Sequence, residues 1–365
     1  MKIYRLGIHD KKLNLLNYIK NDSISPAIKS DLIKEKSKID KCKASDWEIS
    51  KKTSNEYEYI YTSSRNEKNI CSIQPVSRSY FKLYQMIKDL PHLLQNNIYC
   101  ACLAEGPGGF IHCLNDLHKK KDFNILNIYG VTLISKDKSI PYWNSMILNN
   151  KLNIINRGID GTGDIYKKEN VDHLINQIGK NHCYLVTADG GFDYSKDYNT
   201  QEEISYRLFF CEIYTAMNIQ KIGGNFIIKL FDMFNYQTIQ LIYLLYCNYS
   251  YLEFFKPSTS RSSNSEKYLI CSDFQGLSPK IKVDLEKHYS DPSKLYIDVP
   301  KSFIQNINEY NTQFSGLQIT SINNNLKIIQ RKKLIKVPTL QQIETAKRWC
   351  ELYNLPINQD CIYLK

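Results

Sequence analysis

Between Tyr184 and Phe234 the chain reads YLVTADGGFDYSKDYNTQEEISYRLFFCEIYTAMNIQKIGGNFIIKLFDMF, and few folds accept such a stretch. Two apolar runs of strand length, Tyr184 to Ala188 and Phe226 to Phe231, flank a segment of helix length. Within that segment and the turn after it, Ile204, Leu208, Cys211, Met217 and Ile222 recur at helical spacing. An acidic turn leads into the helix and a Gly-Gly turn leads out, so the stretch is a βαβ unit. In open parallel sheets, ligands bind beyond the carboxyl ends of the strands. Asp189, which closes the first strand, therefore sits at a mouth, and Lys229 lies near one. A lysine inside an apolar strand is the anomaly. Either the strand is a solvated edge, or the protonation of Lys229 is managed by neighbours for chemistry.

The same rhythm runs upstream. A helix begins near Ser77 and stops at Pro91, with Tyr80, Phe81, Tyr84 and Ile87 on its apolar face and Lys82 off it. Ile98 to Leu103 reads as a core strand that runs directly into AEGPGGF and a helix from Phe110 to about Lys119. A glycine-rich turn at that junction either brings backbone N–H groups to a ligand or is a plain tight turn. It matches neither GxGxxG nor GxxxxGK[ST], and it suits a nucleoside better than a polyphosphate. Strands at Ile125 to Leu133 and Leu152 to Ile155 precede the loop DGTGDI and a helix from Asn170 to Ile178. In that loop Gly161 and Gly163 permit positive φ, while Asp160 and Asp164 are acceptors for a ligand or for the helix end.

Downstream, a helix from Asn235 to about Asn248 leads to strands Tyr251 to Phe255 and Lys267 to Ser272, joined by KPSTSRSSNSE. The last pair reads as an antiparallel hairpin at one end of an otherwise parallel sheet, with Glu266 opening its final strand. Residues 1–70 read as an extension with a helix from Ser25 to Lys43 and an alternating, strand-like EYEYIYTSS. From Gly276 the βα rhythm stops. Helices at Lys280 to His288, Ser302 to Gln313 and Leu340 to Leu352 follow, with the basic run QRKKLIK at 330–336. The expected division is therefore 1–70, 71–276 and 277–365.

Lys+Arg number 48 against 37 Asp+Glu, a net +11 that favours a polyanionic partner, and 27 tyrosines suit base stacking beside phosphate contacts. Eleven scattered cysteines read as free thiols of a reducing compartment, cytoplasmic or nuclear. Cys100 and Cys102 lack CxxC spacing and the seven histidines are isolated, so no metal site is expected. The start has no signal-length apolar run, and Leu241 to Cys247 is too short to span a bilayer, which points away from secretion and from membranes.

Taken together, SRSYFKL, LAEGPGGF, TADGGF, GGNFIIKLF and KPSTSRSSNSEKYLIC resemble the motifs of the FtsJ-like (RrmJ-type) ribose 2′-O-methyltransferases. LVTADGGFD, NTQEEIS, DGTGDI and NSEKYLIC are similar to the mRNA cap branch, including its Adrift-like members and large-DNA-virus relatives. The resemblance covers roughly residues 75 to 275. It implies an α/β fold: a Rossmann-like sheet, mostly parallel with the last strand antiparallel, carrying helical N- and C-terminal extensions. It also implies S-adenosyl-L-methionine as cofactor and a catalytic tetrad of Lys82, Asp189, Lys229 and Glu266, with Lys229 as general base. Cofactor contacts would come from Ala104, Glu105, Gly106, Pro107, Gly108, Gly109 and Phe110, with Thr132, Asp164 and Asp189. RNA, read as a capped mRNA 5′ end, would be guided by Arg78, Lys256 and Arg261, with a capping-complex protein as a further partner. Two departures stand out: Cys102-Leu103-Ala104 replaces the usual DLG opening, and strand two ends without a carboxylate unless Asp137 supplies it. An rRNA or tRNA ribose methyltransferase and a silent RNA-binding scaffold of a capping complex are the alternatives. A nucleotide-dependent oxidoreductase would need GxGxxG and a strand-two carboxylate, and neither is present.

Overall fold

One sheet runs through the computed structural model, which describes residues 3–7, 11–15, 24–192 and 199–365. The acidic turn at 193–198 and part of the N-terminal segment, both read above, lie outside the described residues. The strands are β1 (Ile3–Arg5), β2 (Ile98–Leu103), β3 (Ile125–Val131), β4 (Asn153–Asn156), β5 (Cys183–Ala188), β6 (Gln220–Leu230), β7 (Tyr249–Phe255) and β8 (Lys267–Phe274). Their order is β1-β7-β8-β6-β5-β2-β3-β4. From β6 to β4 every pairing is parallel, whereas β8 is antiparallel to both β6 and β7, and β1 is antiparallel to β7. The chain leaves β2 toward β4 and then returns to place β5 on the other side of β2. That reversal is a topological switch point, where open α/β sheets bind ligands.

Helices cover both faces. They are α1 (Pro26–Lys36), α2 (Ala44–Ser54), α3 (Ser79–Asp89), α4 (Gly109–Lys119), α5 (Ser145–Leu148), α6 (Lys168–Ile178), α7 (Gln201–Ile219), α8 (Tyr236–Asn248), α9 (Pro279–Lys287), α10 (Lys301–Gln330) and α11 (Leu340–Leu352). Side chains of α6 to α9 and of the first half of α10 join Leu103, Val186, Ile228 and Leu252 in one core. Those of α3, α4 and α11 join Cys102, Leu185, Ile227 and Ile270 on the opposite face. Alternation along β6 thus assigns Phe226, Ile228 and Leu230 to the first layer and Ile227 to the second. Lys229 falls in the register of Ile227, facing the layer that contains α3. A third cluster joins Leu32, Ile39 and Trp47 of the N-terminal segment to Ile322 and Leu326 of α10.

Several elements differ from the sequence-based expectation. The antiparallel hairpin stands at one end of the parallel part as expected, but with β8 inserted between β6 and β7 and the three-residue β1 added as an unforeseen edge strand. Because β6 lies between β5 and β8, the solvated-edge explanation of Lys229 is excluded. EYEYIYTSS forms no strand. Glu58–Ile60 is a 3-10 turn with all three residues buried, and contiguous burial of that kind is incompatible with a two-faced strand. The helix expected over Ser25 to Lys43 ends at Lys36, and α2 is an additional helix. Conversely, α10 continues past Gln313 to Gln330, because Phe314, Gln318, Ile322 and Leu326 recur every fourth residue on its buried side. On α7, Ile204 is exposed and Ile222 belongs to β6 and is exposed, while most other positions are buried, since the helix packs on β5 and β6 and is flanked by α6 and α8. All eleven cysteines are unpaired, nine of them buried, with Cys42 and Cys247 partly exposed. Among the described residues no helix is long and apolar enough to cross a membrane.

Candidate active site

A cleft of about 980 Å³ opens at the carboxyl ends of β2, β3, β5 and β6, beside the switch point. Its walls include Ala104, Gly106 and Pro107 after β2, Thr132 after β3, Asp164 in DGTGDI, Asp189 after β5, and Lys229, Phe231 and Glu266. Another cleft of about 980 Å³ lies at the amino-terminal edge of the sheet, lined by Asn96, His112, Asn115 and His118 among others, and contains none of these residues.

Four ionisable side chains from separate elements meet at the first cleft. Lys82, on α3, reaches Glu266 at 2.8 Å. Lys229 donates to the Asp189 carbonyl at 2.8 Å and lies 3.3 Å from its carboxylate. Tyr268, paired with Lys229 across β6 and β8, donates its hydroxyl to the Asp189 carboxylate at 2.8 Å. Ser260 donates to Glu266 at 2.7 Å. Lys82 is off the apolar face of its helix as expected, yet its side chain is only 15% exposed, because β8 brings Glu266 over it.

The electrostatics follow from that packing. Burial alone would lower the pKa of Lys229, but Asp189, Glu266 and Glu212 outweigh it, and the net shift is upward. Burial would raise Glu266, yet Lys82, Lys229 and Lys256 hold it well below the usual carboxylate range. Glu212, on α7, is pushed up to about 8 by burial, with Lys229 pulling the other way. The glycines of TADGGF fit tightly: a Cβ at Gly190 would come within 2.3 Å of the Glu212 carboxylate, and one at Gly191 within 3.2 Å of Lys229 Nζ. At Gly190, where a Cβ would also meet Ala104 Cβ at 2.9 Å, there is no room for a side chain, whereas at Gly191 one would press on the end of Lys229.

The loop after β2 divides in two. Ala104, Gly106 and Pro107 face the cleft, whereas Gly108 packs against Trp143 and Ile147, Gly109 packs against Ser77 and Ser79, and Phe110 is fully buried. Glu105 is also turned inward. Its carboxylate accepts the Phe110 N–H at 2.7 Å, its carbonyl accepts Trp143 Nε1 at 2.9 Å, and burial pushes its pKa up to about 8. Of the loop residues expected at the cofactor, Glu105, Gly108, Gly109 and Phe110 thus do not line the cleft, and their contacts support the loop. Asp164 is on the wall, and its carboxylate accepts the Tyr166 N–H at 2.9 Å. Asp137 is exposed and bound to its own turn through the Ser139 N–H, so strand two has no carboxylate at the cleft.

The three expected RNA contacts are placed differently from the reading above. Arg78 and Arg261 both bind Glu58, at 3.1 and 2.9 Å, and Glu58 is fully buried. Lys256 turns inward to Asn264 and the Glu266 carbonyl, and burial lowers its pKa to about 7. Their charge is matched or enclosed within the protein, and of the three only Arg78 lines the cleft. Glu58, Glu212 and Tyr268 were not singled out from sequence. The signal was present for Glu212, a carboxylate inside the apolar FFCEIYTAM.

The sequence model described as FtsJ-like methyltransferase matches residues 75–274 of this chain. Cap-specific mRNA (nucleoside-2′-O-)-methyltransferase 2 of Drosophila melanogaster is 32% identical over 243 residues, 60% of this chain and 33% of that protein. Methyltransferase 1 of the same description from Mus musculus is 28% identical over 291 residues, 71% of this chain and 32% of the mouse protein. The Leishmania braziliensis methyltransferase 1 is 38% identical over 178 residues, 48% of this chain and 44% of its own length. The chain thus spans less than half the length of each of these relatives.

Proposed function

Because the chain belongs to the FtsJ-like methyltransferase family, we propose that it is an S-adenosylmethionine-dependent enzyme that methylates the ribose 2′-oxygen of the first or second transcribed nucleotide of capped mRNA. The observation that carries this reading is the convergence of two lysine–carboxylate pairs, Lys82 with Glu266 and Lys229 with Asp189, at the switch point of the sheet. The printed descriptions of the relatives support the cap as substrate. A protein partner from the capping machinery, in a reducing compartment of the cytoplasm or nucleus, belongs to the same proposal.

The cleft fits the cofactor in size and in the groups on its wall. Ala104, Gly106 and Pro107 would hold it from the β2 side, and Thr132 and Asp164 from the other. When bound, S-adenosylmethionine supplies an electrophilic methyl on a positively charged sulfur. Lys229 then has the role of general base toward the ribose hydroxyl. Asp189 fixes its ammonium through two contacts, and Tyr268 fixes Asp189. Glu266 holds Lys82 beside it, and positioning of this kind supplies much of the acceleration in such transfers. The ribose hydroxyl would give its proton to Lys229 as its oxygen takes the methyl and the methyl–sulfur bond breaks, the electron pair of that bond staying on the sulfur.

The test is transfer of labelled methyl to matched short RNAs bearing a 7-methylguanosine cap, an unmethylated cap or a bare triphosphate, with Lys229→Ala as control. Label on a 2′-oxygen of capped RNA alone supports the proposal, and nuclease mapping then identifies the nucleotide. Equal transfer to uncapped RNA moves the assignment to rRNA or tRNA. Cofactor binding without transfer to any RNA favours the scaffold.

A further inference from the structure

With Arg78, Arg261 and Lys256 engaged inside the protein, the phosphates of an RNA substrate need other cations, and the structure has an unmatched set. Five basic residues, Lys327, Arg331, Lys332, Lys333 and Lys336, lie within ten positions, and no acidic residue occurs between Glu309 and Glu344. All five are exposed, and none appears in an ion pair among the described residues. Cations in the last turn of a helix can simply complement its dipole. That accounts for Lys327 and Arg331 at the end of α10, but Lys332, Lys333 and Lys336 lie beyond the helix.

The run is linked to the active-site cleft by consecutive contacts. Arg78 on the cleft wall shares Glu58 with Arg261 of the β7–β8 loop. Arg261 also approaches Glu48 of α2 at 3.7 Å, and Glu48 binds Lys51 one turn on. Thr53 then exchanges hydrogen bonds of 3.1 and 3.2 Å with the backbone of Ile335, inside the run. A second link runs along α10. Gln318 donates to the Ser263 carbonyl in the loop that precedes Glu266, and Arg331 follows thirteen residues later, about 20 Å along the helix at ~1.5 Å per residue. Along the first path the cations are paired with carboxylates, and only at its far end are they free of acidic partners.

We infer that the segment 327–336 is a secondary RNA-binding surface, taking the phosphates of single-stranded RNA downstream of the nucleotide held in the cleft. This inference rests on the RNA-methyltransferase reading and adds a substrate-length requirement to it. Such a contact is electrostatic and sequence-independent, and it reports itself in salt dependence.

The test compares the full chain with two triple variants, Arg331→Glu/Lys332→Glu/Lys333→Glu and Arg331→Gln/Lys332→Gln/Lys333→Gln. The substrates are a capped dinucleotide and a capped RNA of ~20 nucleotides, longer than one ordinary single-strand site. In both variants KM for the long RNA is expected to rise about tenfold or more, with kcat and all dinucleotide kinetics unchanged. The slope of log affinity against log salt for the long RNA should flatten by about 2, at ~0.7 per lost phosphate contact. Unchanged affinity and slope in both variants, with their melting curves intact, overturn the proposal and leave the run to an acidic protein partner. If no RNA is methylated but the variants still lose affinity for the long RNA, the surface stands and the enzyme reading falls.

Discussion

At position 229 a lysine occupies an inward register of a central strand, and its neighbours decide what it can do. Held protonated by Asp189, Glu266 and Glu212, it has to lose that proton before acting as a base. Because kcat/KM reports the free enzyme, its value for capped RNA should climb steadily from about pH 7 to about pH 10 without a plateau. A plateau near neutrality in the pH–rate profile would remove Lys229 from the base role. Lys229→Ala should cost about 100- to 10,000-fold in kcat while the fold and cofactor binding persist, measured by single-turnover transfer and calorimetry. Glu212 makes a separate prediction. Its folded pKa of about 8 lies above the ordinary 4.5, so the folded state binds the proton more tightly than the unfolded chain. That stabilisation is complete below about pH 4.5 and is lost as the pH rises toward about 8. The melting temperature of Glu212→Gln should therefore gain on that of the parent across this window, and parallel curves would contradict the assignment.

At the scale of elements, the 3-10 turn at Glu58–Ile60 is a tie between otherwise remote segments. Glu58 accepts from Arg78 before α3 and from Arg261 between β7 and β8, and both guanidiniums outweigh the cost of its burial to hold its pKa down. Glu58→Ala would leave Arg78 without its carboxylate and Arg261 with only the 3.7 Å approach of Glu48, and breaking such a largely buried set costs about 3 kcal/mol. Chemical denaturation should show that loss, and Arg261→Ala should weaken the tie less, because Arg78 remains paired. Asp189, Lys229 and Glu266 stood out in sequence because each interrupts or borders an apolar strand, whereas Lys82, off the apolar face of its helix, was marked only by the family resemblance. Glu58 did not stand out, because its significance lies wholly in residues 20 and 203 positions away. The far half of α10 was missed for a similar reason. Its neutral, asparagine-rich stretch is weakly helical by composition, and burial of Ile322 and Leu326 against Leu32 and Trp47 settles it.

For the whole molecule, both terminal segments complete the layers that the central sheet needs. Phe303, Ile307 and Tyr310 of α10 lie in the core over β7 and α8, and Trp349 and Cys350 of α11 lie in the core over α3. A fragment restricted to 71–276 would expose these surfaces, so it should melt well below the full chain and bind hydrophobic dyes. A fragment as stable as the whole protein would show that the extensions serve binding alone. The βα alternation, the switch-point loops and the places of Asp189, Lys229 and Glu266 at strand ends were determined by local sequence, while Lys82 was singled out only through the family resemblance. Strand periodicity, turn chemistry and a charge out of place need only neighbouring residues to be visible. The insertion of β8 beside β6, the inward turn of Glu105, the pairing of Arg78 and Arg261 on Glu58 and the upward shift of Lys229 were decided only by tertiary structure. Each depends on which distant group a buried charge meets once water is excluded, and spacing along the chain carries no record of that.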